Sequence, residues 1–170
     1  EHDTGSHVEN SQRLVAIMSH LEETGLINQA TMLPPRPASM EELEMVHAPE
    51  YISQIKRIAE RGGGWLDPDT VMCPKSYEVA LYAAGGVLTA VEAVMRGEVD
   101  RLGHSQCESN YQSPKSGGRG FCIFNNMAIA AKYTLANFNL TQGLQAYVAI
   151  HNGHGTQETF YADPKVLYFS

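Results

Sequence analysis

The chain has 170 residues, 43% of them hydrophobic, enough to bury the core of one ordinary domain spanning the whole length. A formal charge of -7 with only 12 Lys and Arg argues against a dedicated nucleic-acid surface, which needs clustered cations, and favours a cationic partner. The three cysteines, Cys73, Cys107 and Cys122, form no CxxC pair, so no disulfide framework or zinc ribbon is indicated; no apolar run approaches a membrane span, and the setting expected is soluble and cytoplasmic.

From Ser11 to Glu23, Leu14, Val15, Ile17, Met18 and Leu21 recur at helical spacing, and Gly25 supplies a stop. Ser39 precedes Glu42 by a capping-box interval, which predicts a short helix to about Val46. Pro49 opens a third helix over Tyr51, Ile52, Ile55 and Ile58, broken by Gly62, Gly63 and Gly64; a flexible loop is expected through Asp67, Pro68 and Asp69. Ser76 to Arg96 is predicted helical, with Val79, Ala83, Val87, Val91 and Val94 as its apolar stripe. Gly85 and Gly86 within it imply close packing against a neighbour. Residues 101–119 crowd Gly, Ser, Pro, Asn, Gln and Lys without periodicity and read as a loop. Asn125 to Ala136 reads as a buried helix, and the apolar runs Ala146 to Ile150 and Val166 to Phe169 read as strands. Together these elements give an α/β class.

Of the seven histidines, His104 in the polar loop and the pair His151 and His154 beyond a predicted strand are the ones placed for chemistry, because α/β folds gather ligands at strand ends. A histidine pair in a loop fits either backbone hydrogen bonding or a metal, since neutral imidazole is a common zinc ligand.

The string Gly120-Phe-Cys-Ile-Phe-Asn-Asn126 resembles the GFC-x-FNN stretch of histone deacetylases and their bacterial relatives, including acetoin utilisation proteins. The run Gly155-Thr-Gln-Glu-Thr-Phe-Tyr161, with Asp163-Pro164 and Val166 to Ser170, is similar to the segment that succeeds that family's metal-binding strand. His2-Asp-Thr-Gly5, His7, Glu9, Arg13-Leu14, His47 with Glu50-Tyr51, and Ala83-Ala-Gly-Gly86 are similar to its first hundred residues. The resemblance implies an arginase-deacetylase type three-layer fold, a mainly parallel sheet flanked by helices and incomplete at the C-terminus. It implies a zinc-dependent amide hydrolase that removes acyl groups from acetyl-lysine or from small acylated amines. It also implies that His104 acts as a catalytic base, that His151 binds the metal, and that Gly120, Phe121 and Asp69 contact substrate. On residue type alone, Phe121 equally suits a core position, Asp69 a solvated loop, and Cys122 a buried small hydrophobe.

Two blocks depart from the family pattern. Where relatives carry tandem histidines, Gly103-His104 is followed by Ser105; where they carry the metal-binding aspartate, Ala149 stands two positions before His151. Tyr147, Asn152 and His154 also replace family residues, and the family's third metal ligand and oxyanion tyrosine come later than Ser170. Alanine offers no donor atom, so one ligand of three remains, and little or no hydrolysis is expected from the 170-residue chain. An improvised site from His104, Cys107, His151 and His154 is chemically allowed. Mismatches confined to two blocks fit a deacetylase whose essential segments are missing from this sequence better than they fit scattered decay. The alternatives are a catalytically dead acyl-lysine binding module and a structural fragment. Self-association through an exposed sheet edge at Val166 to Phe169 is expected.

Overall fold

The computed structural model of the chain describes residues 2–5, 10–101, 118, 120–140, 143–146 and 153–169. The first helix, α1, spans Gln12–Glu23, close to its predicted limits, and the chain leaves it through Gly25 in the left-handed region at φ 69°. None of its residues is buried, and Leu14, Val15 and Ile17 are exposed. The second helix, α2, covers Met40–Glu44 and starts on the predicted capping box: the Glu42 N–H donates to Ser39 Oγ, and the Ser39 N–H donates to the Glu42 carboxylate at 2.7 Å. It stops two residues short of the predicted end at Val46. Helix α3, Pro49–Glu60, carries Pro49 in its first turn, where a missing N–H costs nothing, and buries Tyr51, Ile52, Ile55 and Ala59.

The glycine-rich segment beyond α3 is not the expected loop. It is a two-stranded antiparallel hairpin, β1 (Gly64–Asp67) and β2 (Thr70–Met72), with an irregular register between Trp65 and Asp67. Gly63 is required there, because at φ 100° it lies against β2 and a Cβ would sit 2.2 Å from the Met72 carbonyl oxygen.

Helix α4, Ser76–Met95, matches the predicted span, but its core face is not the predicted valine stripe. Ser76, Ala80, Ala84, Gly85, Val87, Leu88 and Ala93 are buried, while Val79, Ala83, Val91 and Val94 are only partly so. Small residues are inside because the neighbours come close: a Cβ on Gly85 would meet the Arg36 carbonyl oxygen at 1.9 Å, and the Ala38 N–H donates to the Leu81 carbonyl at 2.9 Å. The same alanines and glycines make α4, at 20 residues, long and apolar enough by composition to cross a bilayer, which corrects the reading that no run approaches that length. Its Ala80, Ala84, Val87 and Leu88 belong to the hydrophobic core.

Helix α5, Asn126–Asn137, packs on α4 and is capped by Asn125, whose side chain accepts the Ala128 N–H at 2.9 Å. Arg36 binds both carboxylate oxygens of Glu42, at 2.7 and 2.8 Å, and reaches Glu92, which also accepts the Tyr133 hydroxyl at 2.6 Å; α2, α4 and α5 are thereby tied together.

The final unit is β-α-β. Strand β3 (Gly143–Ala146) runs parallel to β4 (Val166–Phe169) in register Gly143 to Val166, with helix α6 (His154–Phe160) as the crossover. The predicted strand at Val166 to Phe169 is present; the earlier one was expected at Ala146 to Ile150, whereas the described strand ends at Ala146 and residues 147–152 lie outside the described set. Helix α6 was not legible as a helix, and it docks on α5 through Phe160, in the core, and through the Lys132–Asp163 ion pair, with Lys132 Nζ 5.2 Å from the Phe160 ring centre. A parallel sheet crossed over by a helix, with helices packed around a common core, is the α/β arrangement expected.

Candidate active site

Four side chains on α3, its preceding turn and the hairpin position the GFC segment. His47, fully buried, accepts the Asn125 N–H at Nε2, 3.0 Å away; this places the proton of the neutral ring on Nδ1, which is buried with no hydrogen-bond partner among the described residues. Burial pushes the His47 imidazole down to about 4, so the ring is neutral at physiological pH and can act as an acceptor. Its ring lies 5.5 Å from Tyr51 and 5.4 Å from Phe124, centre to centre. Tyr51 donates its hydroxyl to the Ile123 carbonyl at 2.6 Å. Thr70, 1% exposed, accepts the Phe121 N–H at 3.0 Å, and Asp67 accepts the Gly120 N–H at 3.3 Å.

These contacts hold an unusual backbone. Gly120 has φ 58° and Phe121 φ 68°, the latter being the one non-glycine residue with positive φ among those described. A phenylalanine in that region costs on the order of 1 to 2 kcal/mol, about the worth of the hydrogen bonds that fix it. At Gly118 a Cβ would lie 2.2 Å from Leu66 Cδ1 and 2.9 Å from the Tyr51 hydroxyl, so a side chain there requires Leu66 to move. Gly118 thus lies against Leu66 of β1.

Asp67 is the electrostatic centre of this arrangement. Burial raises its carboxyl pKa, but donors from the Asp69 N–H, the Thr70 hydroxyl and N–H and the Gly120 N–H outweigh burial and leave it below the ordinary aspartate value. The Asp69 N–H contact, 2.8 Å to Oδ1, is the Asx-turn that closes the hairpin.

Three of the five substrate or catalytic residues expected from sequence are therefore described, and they are brought together: Asp69, Gly120 and Phe121 meet around Asp67 and Thr70. His104 and His151 lie outside the described residues, as do Ser105, Cys107 and Ala149. His154 is exposed at the start of α6, and Cys122 is buried, as expected of a small hydrophobe. Among the described residues no three of His, Cys, Asp and Glu converge as a metal site. The donor set does not fit the family's zinc site, because Ala149 contributes no ligand atom where an aspartate is needed. Sequence reasoning missed Asp67, Thr70, the acceptor role of His47, and the Asn125–Thr156 pair, 3.2 Å apart and fully buried, that joins α5 to α6. The signal for the first two was available: Asp-Pro-Asp-Thr between Trp65-Leu66 and Val71-Met72 is polar turn chemistry flanked by apolar residues.

The histone deacetylase domain profile matches residues 7–170. The chain belongs to the histone deacetylase family. It is similar to a probable deacetylase of Methanothermobacter thermautotrophicus, 36% identical over 99% of this chain and 50% of the relative. It is also similar to the human polyamine deacetylase HDAC10, 34% identical over 99% of this chain and 26% of that protein. The solved HD domain of HDA15 superposes with a TM-score of 0.89 at 26% identity, covering 98% of this chain and 49% of that domain. The arginase-deacetylase fold expected from the GFC segment is that of this histone deacetylase chain, which spans half or less of the length of these relatives.

Proposed function

We propose that the chain carries the acyl-amine-binding part of a deacetylase site and does not hydrolyse amides on its own. The observation that carries this reading is that the Asp69 and Gly120 N–H groups converge on the Asp67 carboxylate and the Phe121 N–H on the neighbouring Thr70 hydroxyl, with Phe121 held in a strained backbone conformation. In this reading the Phe121 ring flanks the alkyl chain of the acylated amine, excluding water from it, and the Asp69 carboxylate accepts an N–H from the substrate or faces its remaining positive charge. The net charge of -7 suits a cationic substrate such as an acetyl-lysine peptide or an acylated polyamine, the class named for the HDAC10 relative.

Zinc chemistry belongs to the family reading: an ion held at such a site would supply a Lewis acid for the acyl carbonyl and for water. By resemblance His151 would be the one metal ligand of three that this chain retains and His104 the one histidine of the family's pair, while Ala149 and Ser105 leave both sets incomplete. A cytoplasmic setting, suggested by cysteines without CxxC spacing, is a proposal of the same standing.

Titration of the 170-residue chain with an acetyl-lysine peptide and with N-acetylputrescine, followed by product analysis and zinc determination, tests the reading. Binding without turnover is expected. Zinc-dependent turnover abolished by His151→Ala would overturn the claim of inactivity and point to the improvised His and Cys set, and no binding of either ligand would leave only a structural fragment.

Self-association through β4 is proposed as well. Leu167 on that strand is 66% exposed, and unpaired apolar edges recruit further strands. Light scattering should show concentration-dependent oligomers that Leu167→Lys reduces; a monomer at all concentrations removes the proposal.

A further inference from the structure

We propose that Asp67 is the positioning residue of the candidate site, the group that fixes Asp69 and the Gly120–Phe121 turn relative to one another. Asp69 and Phe121 stand on segments about fifty residues apart in sequence, one on a hairpin turn and the other on the entry to α5. One carboxylate spans the gap. Its Oδ1 accepts the Asp69 N–H at 2.8 Å and its Oδ2 accepts the Gly120 N–H at 3.3 Å. Asp67 also accepts from the hydroxyl and the N–H of Thr70, and Thr70 Oγ1 in turn accepts the Phe121 N–H at 3.0 Å. A single side chain is thus tied, directly or through one neighbour, to the backbone at Asp69, Thr70, Gly120 and Phe121.

Asp67 itself is not aimed at a ligand, since both oxygens are spent on backbone donors. It acts through the other residues. The register of the hairpin shifts between Trp65 and Asp67, just where the carboxylate leaves the strand. Gly118, pressed on Leu66, keeps the second segment within reach of the first. The consequence for the site is specific. Loss of the carboxylate should release Asp69 and Phe121 together, whereas loss of Asp69 should leave the Phe121 turn in place. The positioning claim rests on the acyl-amine reading only for its functional consequence; the coupling itself is a property of the chain.

The test uses the isotope-labelled 170-residue chain, amide hydrogen exchange, and titration with Nε-acetyl-lysine amide as the probe. In Asp67→Ala the amides of Asp69 and Gly120 should both exchange about tenfold faster while core amides on α3 and α4 keep their rates, as expected when a charged acceptor is removed locally. Affinity for the probe should fall about tenfold, equivalent to one such hydrogen bond. Asp67→Asn, which keeps one carbonyl acceptor, should restore part of both effects, and Thr70→Val should accelerate Phe121 alone. Asp69→Ala should leave the Gly120 amide unchanged. If Asp67→Ala does not fold, Asp67→Asn and Thr70→Val decide the matter by the same amides. The proposal falls if Asp67→Ala, or Asp67→Asn in its place, changes the Asp69 amide without the Gly120 amide, or speeds all amides equally. Unchanged probe affinity with altered amides also overturns it. If the wild-type chain binds no probe while the amides respond as described, the coupling stands and the acyl-amine reading fails.

Discussion

Helices α1 and α4 both carry large aliphatic residues at helical spacing in the sequence and meet opposite fates in the fold. Along α1, Leu14, Val15 and Ile17 are 46%, 55% and 39% exposed, and no residue is buried. Along α4 the buried positions are mostly alanine, glycine and serine, with Val87 and Leu88 the large ones. Large aliphatic residues thus remain outside on the first helix while small ones go inside on the second. A 3.6-residue period shows that a face exists; whether that face is buried depends on what can approach it. On α4 the Arg36–Ala38 segment and α5 approach closely because Gly85, Ala80 and Ala84 leave room. On α1 the main packing among the described residues is against the short turn at Leu26–Gln29 just beyond it.

Substitutions can break or sharpen that contrast. The largest effect is expected at Leu88, which is fully buried: Leu88→Ala should cost about 2 to 5 kcal/mol of unfolding free energy in urea titration. The next is a pH effect on the same buried region. His47 is neutral when folded, with its pKa pushed down to about 4, so the unfolded chain binds more protons between about 4 and 6.5. Its contribution is therefore complete above pH 6.5 and is lost as the pH falls toward 4, on the order of 3 kcal/mol in all. In His47→Gln that segment of the stability profile should flatten. An unchanged slope would show that His47 is not neutral and buried.

Gly85→Ala comes third. Helix propensity alone predicts a gain of about 1 kcal/mol, but the new Cβ would meet the Arg36 carbonyl at 1.9 Å, and overpacking typically costs about 1 to 3 kcal/mol, so net destabilisation is expected in a thermal or urea melt. A stabilised variant would mean that the 36–38 segment moves aside freely. The smallest effect belongs to α1, where Leu14→Ala or Ile17→Ala should change stability by no more than about 0.5 kcal/mol. A loss of several kcal/mol from either would show that the α1 face is covered in solution and would erase the contrast.

The elements that could be read from sequence were those announced by local chemistry. Ser39 and Glu42 marked the start of α2, and Pro49 and the Gly62–Gly64 run bracketed α3, because each signal acts within one helical turn. The hairpin was hidden because Gly63, Pro68 and two aspartates look like a loop; the strands on either side, of four and three residues, are too short to show alternation. The site was legible in part through the GFC segment, which pointed to Gly120, Phe121 and, by resemblance, Asp69. Asp67 and Thr70 stayed hidden because their partners lie 53 and 51 residues away, and no local period records such a contact.

Those separations also order events in time. The bonds that assemble the site join Asp67 to Gly120, Thr70 to Phe121, Tyr51 to Ile123 and His47 to Asn125, across 53, 51, 72 and 78 residues. Closing such loops costs entropy that a single hydrogen bond of about 1 kcal/mol does not recover, so these bonds depend on the packing of α3, α4 and α5 around them. During synthesis at roughly 5 to 20 residues per second, the hairpin waits several seconds for Gly120 and Phe121 to emerge from the ribosome after it. Through that interval Asp67 and Thr70 are without the Gly120 and Phe121 N–H donors that complete the site.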